Sequence, residues 1–223
     1  MLGRRQRWVT EKEGAMDEHG LFGGNPAFPE GAEGLAMLDR MNGGAHEQLA
    51  SWGLSLCRLD PTAYVLDIGC GGGANLLRIL SLCPQGHVTG IDPAPASLMK
   101  SSAVCAAEIE RGACSVLEGN VTELPFDDAS FDAATAFETV YFWTDPGTAF
   151  GEVRRILRPG GTFLICNETD GTDREAHEQS NSLEGMSIYT GEELEHLLRG
   201  AGFPEVDVRS KPGSHHIAVI ARA

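Results

Sequence analysis

Between Val65 and Ala74 an apolar run ends in the carboxylate of Asp67, and Gly69, Gly71 and Gly73 follow at alternate positions. The next residues, Asn75-Leu76-Leu77-Arg78-Ile79-Leu80, read as a helix. Glycine tolerates positive φ and lets a ligand approach the backbone, while a helix start behind it offers unpaired N–H groups. About twenty residues further on, His87-Val88-Thr89-Gly90-Ile91-Asp92 ends in a second acid, where a carboxylate can accept both hydroxyls of an adenosine ribose. The pair implies an adenosine ligand. Gly69-x-Gly71-x-x-Ala74 also satisfies the dinucleotide pattern, so an NAD(P)-dependent oxidoreductase stands as an alternative. Asp67 separates the two, since it would oppose the two negative charges of a pyrophosphate and suits a cationic ligand.

With these residues the sequence resembles the class I S-adenosylmethionine-dependent methyltransferases, whose first motif is an acid followed by Gly-x-Gly-x-Gly, here Asp67 to Gly73. The resemblance is strongest with the quinone-biosynthesis type of methyltransferase domain (type 11). Its further elements are Asp92, then Gly119-Asn120-Val121 before Leu124-Pro125-Phe126, then Leu157-Arg158-Pro159-Gly160-Gly161-Thr162. It implies S-adenosylmethionine as cofactor. Asp67 would hold the methionine ammonium through water or the loop, and Gly69 and Gly71 would let the backbone approach the amino-acid part, with Cys70 between them as a small packing residue. Asp92 would take the ribose, and Pro93 and Leu98 would pack against the adenine. Asn120 stands where the family usually has Asp; its amide oxygen can still accept from the adenine amino group. Val121 would offer its N–H to the ring, and Phe137 would border the methionine portion.

Methyl transfer from a sulfonium is an in-line displacement in which proximity and orientation supply much of the rate, with a base helping where the acceptor must lose a proton. The stretch Glu138-Thr139-Val140-Tyr141-Phe142-Trp143 follows a strand over the expected methyl group. Tyr141 is the first candidate to orient or deprotonate an acceptor, although its bland reading is an aromatic pocket wall. Glu138 is a second candidate. His46, between two N-terminal helices that resemble the cap of many relatives, is a third. Departures at Asn120 and Tyr141 also leave open a non-catalytic cofactor-binding module.

The acceptor is expected to be a small molecule. Phe22, Trp52, Tyr141, Phe142 and Trp143 suggest an apolar or aromatic compound, whereas Glu168, Asp170, Asp173 and Glu175 would draw in a cation, or form only a solvated face. The signature of DNA amino methylation is absent between Phe137 and Tyr141, and Cys83-Pro84 reverses the order used by cytosine C5 enzymes. His215-His216 lacks a neighbouring carboxylate pattern, so no metal site is expected.

Positioning these groups requires an alternation of strands and helices. Strands are expected at 65–68, 87–92, 113–118, 131–137 and 162–167, with helices over 95–111 and 146–157, a turn at 158–161, and a capping box at Thr190-Gly191-Glu192-Glu193. Glu205-Val206-Asp207-Val208 and His216 to Ala221 form a closing hairpin. The fold class is α/β: a Rossmann-like, seven-stranded, mostly parallel sheet with one antiparallel strand and helices on both faces. Residues 1–59 are expected to form a tail and a helical cap, with helices over 30–41 and 47–59. Residues 60–223 are expected to form the cofactor-binding domain.

A formal net charge of −15 repels phosphate backbones and anionic membrane surfaces, so neither nucleic acid nor a membrane is an expected partner. Arg4, Arg5 and Arg7 form a basic cluster without the apolar run of a secretory signal. Six cysteines without a Cys-x-x-Cys pair suit reduced thiols and a cytoplasmic setting. Oligomeric state is not written in the sequence.

Overall fold

The computed structural model describes residues 25–172 and 185–223. Two helices come first, α1 (Gly31–Met41) and α2 (Gly44–Ser55). Then follow β1 (Tyr64–Ile68), α3 (Ala74–Leu82), β2 (His87–Asp92), α4 (Pro95–Val104), α5 (Ala106–Glu110), β3 (Cys114–Glu118) and β4 (Phe131–Phe137). The chain continues through α6 (Pro146–Ile156), β5 (Leu157–Asn167), α7 (Gly191–Gly200), β6 (Glu205–Ser210) and β7 (Ile217–Arg222).

The seven strands form one sheet in the order β3-β2-β1-β4-β5-β7-β6, and β7 alone runs antiparallel to its neighbours. Strand order reverses between β1 and β4. That switch point opens a crevice beyond the strands' carboxyl ends, and the β1–α3 turn lies there. β1 is buried at four of its five residues, as a strand covered on both faces must be.

Each face has its own core. Leu49, Ala50 and Leu54 of α2 pack with Val65, Leu76, Ile79 and Val88, so one of the two N-terminal helices shares a core with the first strands. Opposite them, Phe150, Val153, Leu194 and Leu198 from α6 and α7 enclose Phe163, which stacks near-parallel on Trp143.

Three expected boundaries are corrected. The second helix covers Gly44–Ser55 and not 47–59; the Leu56 N–H turns back to the Gly53 carbonyl, leaving Leu56 exposed and Leu54 buried in its place. Gly53 faces Cys166 so closely that a Cβ there would lie 2.1 Å from the sulfur, which is how α2 comes down onto β5. The helix expected over 95–111 is broken at Cys105 into α4 and α5. Finally, Arg158-Pro159-Gly160-Gly161 is no free turn before β5 but an irregularity inside it: Phe131 pairs with Leu157 and Ala133 with Thr162. Asp132 opposite accepts from Arg158 Nη1 at 2.6 Å and from the Tyr64 N–H at 2.8 Å, fixing the bulge to β1.

The capping box forms as expected. Thr190 Oγ1 accepts the Glu193 N–H and the Glu193 carboxylate accepts the Thr190 N–H at 2.8 Å. Phe22, the basic cluster Arg4, Arg5 and Arg7, and Asp173 and Glu175 lie outside the described residues.

Candidate active site

The β1–α3 turn adopts the backbone its glycines allow: Gly69, Gly71 and Gly73 have φ of 75°, 49° and 85°. Space, too, demands glycine at two of them. A Cβ on Gly69 would lie 2.4 Å from Thr139 Cγ2, and one on Gly73 2.7 Å from Ser101 Cα. Gly71 is different, with only Leu38 Cδ2 at 3.7 Å; its open side faces a cavity.

That cavity, about 220 Å3, is lined at one end by Asp92, Pro93, Ser97, Asn120 and Val121, and towards the other by Phe137, Glu138 and Phe142. A smaller recess continues past Gly69 and Gly71 to Cys70, Asn42, Arg78 and His46. The recess shares Phe137 and Glu138 with the main cavity, so a ligand along the turn would span both.

Asp92, at the end of β2, accepts the Gly71 N–H at 2.9 Å and the Ala94 N–H at 3.0 Å. Burial raises its pKa, against those two bonds and one from Ser97. Asp67 lies deeper, 2% exposed, and does not face the cavity. Its carboxylate accepts the Thr135 hydroxyl at 2.6 Å. Burial, reinforced by the charge of Asp92 and countered by Thr135, raises its pKa to about 7.

Asn120 and Val121 line the far wall on a loop held by α6. Glu152 accepts the Leu124 N–H at 2.9 Å, and Arg155 donates to the Leu124 and Phe126 carbonyls at 3.0 and 2.7 Å. The Asn120 side-chain oxygen already accepts from the Thr122 N–H and hydroxyl, both at 3.1 Å. Leu98, expected against an adenine, is half-buried on α4 and off the cavity wall; Ser97 occupies the wall instead.

Glu138 follows β4 with φ of 61°, a left-handed backbone that costs a non-glycine residue of order 1–3 kcal/mol and persists where the surroundings enforce it. Its carboxylate accepts the Tyr141 hydroxyl at 3.3 Å and the Glu168 N–H. Burial, with the neighbouring Glu168 charge, pushes its pKa well up. Tyr141 is buried behind Glu138 and not on the cavity wall, and burial together with Glu138 raises its own pKa. Tyr141 thus holds the Glu138 carboxylate from the buried side. Of the other aromatic candidates, Phe142 and Trp143 line the cavity, while Trp52 packs on the α2 side beneath Lys211. Asp170 is engaged with Thr172 and His215.

Asn42, which the sequence does not mark as a site residue, reaches the turn from the end of α1. Its Nδ2 donates to the Gly72 carbonyl at 3.0 Å, while its own carbonyl accepts from Arg78 Nη2 at 3.0 Å. Asn42 therefore joins α1 to the glycine turn. The only sequence signal is a polar residue where any helix stop would have served.

A glycine turn at the switch point of this sheet, an acid at the end of β2 and a crevice between them define a Rossmann-like α/β domain with a ligand-sized cavity. Residues 66–165 match the family model described as a methyltransferase domain. The chain is 33% identical over 144 residues to the O-methyltransferase resE of Aspergillus sclerotiorum, covering 63% of this chain and 54% of that one. With the O-methyltransferase cnsE of Penicillium expansum it shares 28% identity, over 68% of this chain and 56% of the relative. It thus spans about half the length of these curated relatives. In fold it superposes on the putative methyltransferase solved with the Haloferax volcanii Trm112 activator, with a TM-score of 0.76 at 22% identity, covering 85% and 93% of the two chains. Residues 66–165 are thus similar to a methyltransferase domain, and the described residues share the fold of a methyltransferase structure.

Proposed function

We propose that the protein transfers a methyl group from S-adenosylmethionine to a small-molecule acceptor, with residues 60–223 binding the cofactor and residues 1–59 supplying a tail and a helical cap. The observation that carries this reading is the continuity of the cavity. One end meets Asp92, Asn120 and Val121, the middle meets the open face of Gly71, and the far recess meets Glu138 and His46.

In this reading the adenosine lies at the Asp92 end and the methionine along the turn. The buried carboxylate of Asp67 adds negative potential behind the turn, which favours a cationic ligand. The sulfonium is an intrinsically good leaving group, so holding an acceptor oxygen near the methyl supplies much of the rate. Glu138 and His46 border the donor end and are the candidates to take a proton from the acceptor. Phe137, Phe142 and Trp143 suit an apolar or aromatic compound. The relatives named as O-methyltransferases support a hydroxyl as the accepting group. Free cysteines throughout support a reducing, cytoplasmic setting, and among the described residues no helix is long and apolar enough to cross a membrane.

Calorimetry with S-adenosylmethionine, its demethylated product and NADH tests the cofactor. Binding of both adenosyl compounds is expected, and binding of NADH alone would overturn the reading. Transfer of labelled methyl to a panel of phenols, alcohols and amines then identifies the acceptor class.

A further inference from the structure

We propose that His46, Glu138 and Glu168 form a site for a divalent cation of the Mn2+ type at the donor end of the cavity. These residues come from α2, the end of β4 and the end of β5, far apart in sequence and joined only by the fold. One ligand atom from each lies within 4.8 Å of the others. The span is close to what a single ion with metal–ligand distances of about 2.0 to 2.3 Å brings together.

Three observations point to a ligand and not to an ordinary ion pair. Glu168 Oε1, on a side chain 38% exposed, is itself shielded and has no hydrogen-bond partner; it lies 3.8 Å from His46 Nδ1, an ion-pair distance beyond hydrogen-bond reach. Such an atom costs free energy until something satisfies it. Glu138 brings a second carboxylate to the same place. Thirdly, Glu138 is kept in a left-handed backbone while Tyr141 and the Glu168 N–H fix its carboxylate. One cation would satisfy the bare oxygen, neutralise two like charges and use the imidazole nitrogen.

The proposed site departs from the sequence expectation of no metal, which rested on His215-His216. Imidazole with two carboxylates is a donor set that Mn2+ accepts. On the function proposed above, the ion would take an acceptor hydroxyl as a further ligand and lower its pKa, its proton leaving to solvent water before the oxygen bonds the methyl carbon and the S–CH3 bond breaks. Glu138 would then act through the ion.

The test uses the full chain with Mn2+ as probe, followed by electron paramagnetic resonance, alongside Glu168→Gln and His46→Gln. One saturable ion per chain is expected, weakened about tenfold or more in each variant, with thermal melts confirming the fold. In a second measurement, bound Mn2+ should broaden the S-methyl proton resonance of bound S-adenosylmethionine in the parent protein and not in Glu168→Gln. No saturable binding, or binding equally strong in both variants, would overturn the site. A chain that takes Mn2+ but no S-adenosylmethionine keeps the ion site and loses the proposed function; the converse result does the reverse.

Discussion

The carboxylate of Asp92 accepts the backbone N–H of Gly71 at 2.9 Å, so the acid closing β2 holds the turn that follows β1. One residue thereby shapes the cradle and faces the cavity that the cradle borders.

Replacing it has two expected effects. Asp92→Ala removes the acceptor for the Gly71 and Ala94 N–H groups together with the proposed ribose contact. Hydrogen bonds to a charged group are worth about 1.5–3 kcal/mol, so adenosyl affinity should fall by more than tenfold. Calorimetry reads the affinity and a thermal melt reads the loosened turn; unchanged affinity refutes the ribose assignment.

The glycines should separate by cause. Gly73→Ala meets the Ser101 backbone at 2.7 Å and adopts φ of 85°, so it should destabilise the domain by about 2 kcal/mol or more. Gly71→Ala meets nothing closer than 3.7 Å and should cost only the backbone penalty of about 1–2 kcal/mol, while its methyl enters the cavity and weakens cofactor binding. Urea denaturation and calorimetry on the pair distinguish the two. Equal losses of stability would contradict the geometry.

Asp67 predicts a pH dependence. Burial raises its pKa from 3.8 to about 7, so the folded protein without ligand holds a proton that the unfolded chain has released. Its contribution to stability is full below about pH 4 and is lost as pH rises through about 7. Ligand binding should run the opposite way, because the ionised form attracts the cationic donor: affinity should tighten several-fold from pH 6 to pH 8. Asp67→Asn should flatten both profiles. Calorimetry and thermal melts across that range check the sign.

Asn42→Ala should weaken adenosyl binding by roughly two- to tenfold, the value of a net hydrogen bond of about 0.5–1.5 kcal/mol, with little change in melting temperature. The lost bond joins α1 to the Gly72 carbonyl and holds up no core residue. A large stability loss would instead make Asn42 a structural cap.

The strands and the glycine turn were legible because they are local. β4 follows from an apolar run read directly off Phe131 to Phe137, and the glycine turn with Asp92 follows from spacing. Gly53 against Cys166 was not legible, since close helix–sheet approach is a matter of which face meets which strand; α2 buries Leu49, Ala50 and Leu54 on that side. The grouping of His46, Glu138 and Glu168 was hidden for the same reason, being a product of three separate elements. Tyr141 was legible in place but not in direction, because its ring turns inward beneath Glu138.

The order β5-β7-β6 has a consequence for assembly. β6 is made before β7 but pairs only with it, as β7 is the strand that joins β6 to β5. Until Ile217 to Arg222 emerges, β6 has no edge to bind and β5 has its far side open. Shortening the chain ahead of Ile217 would therefore strip two strands from the sheet, not one.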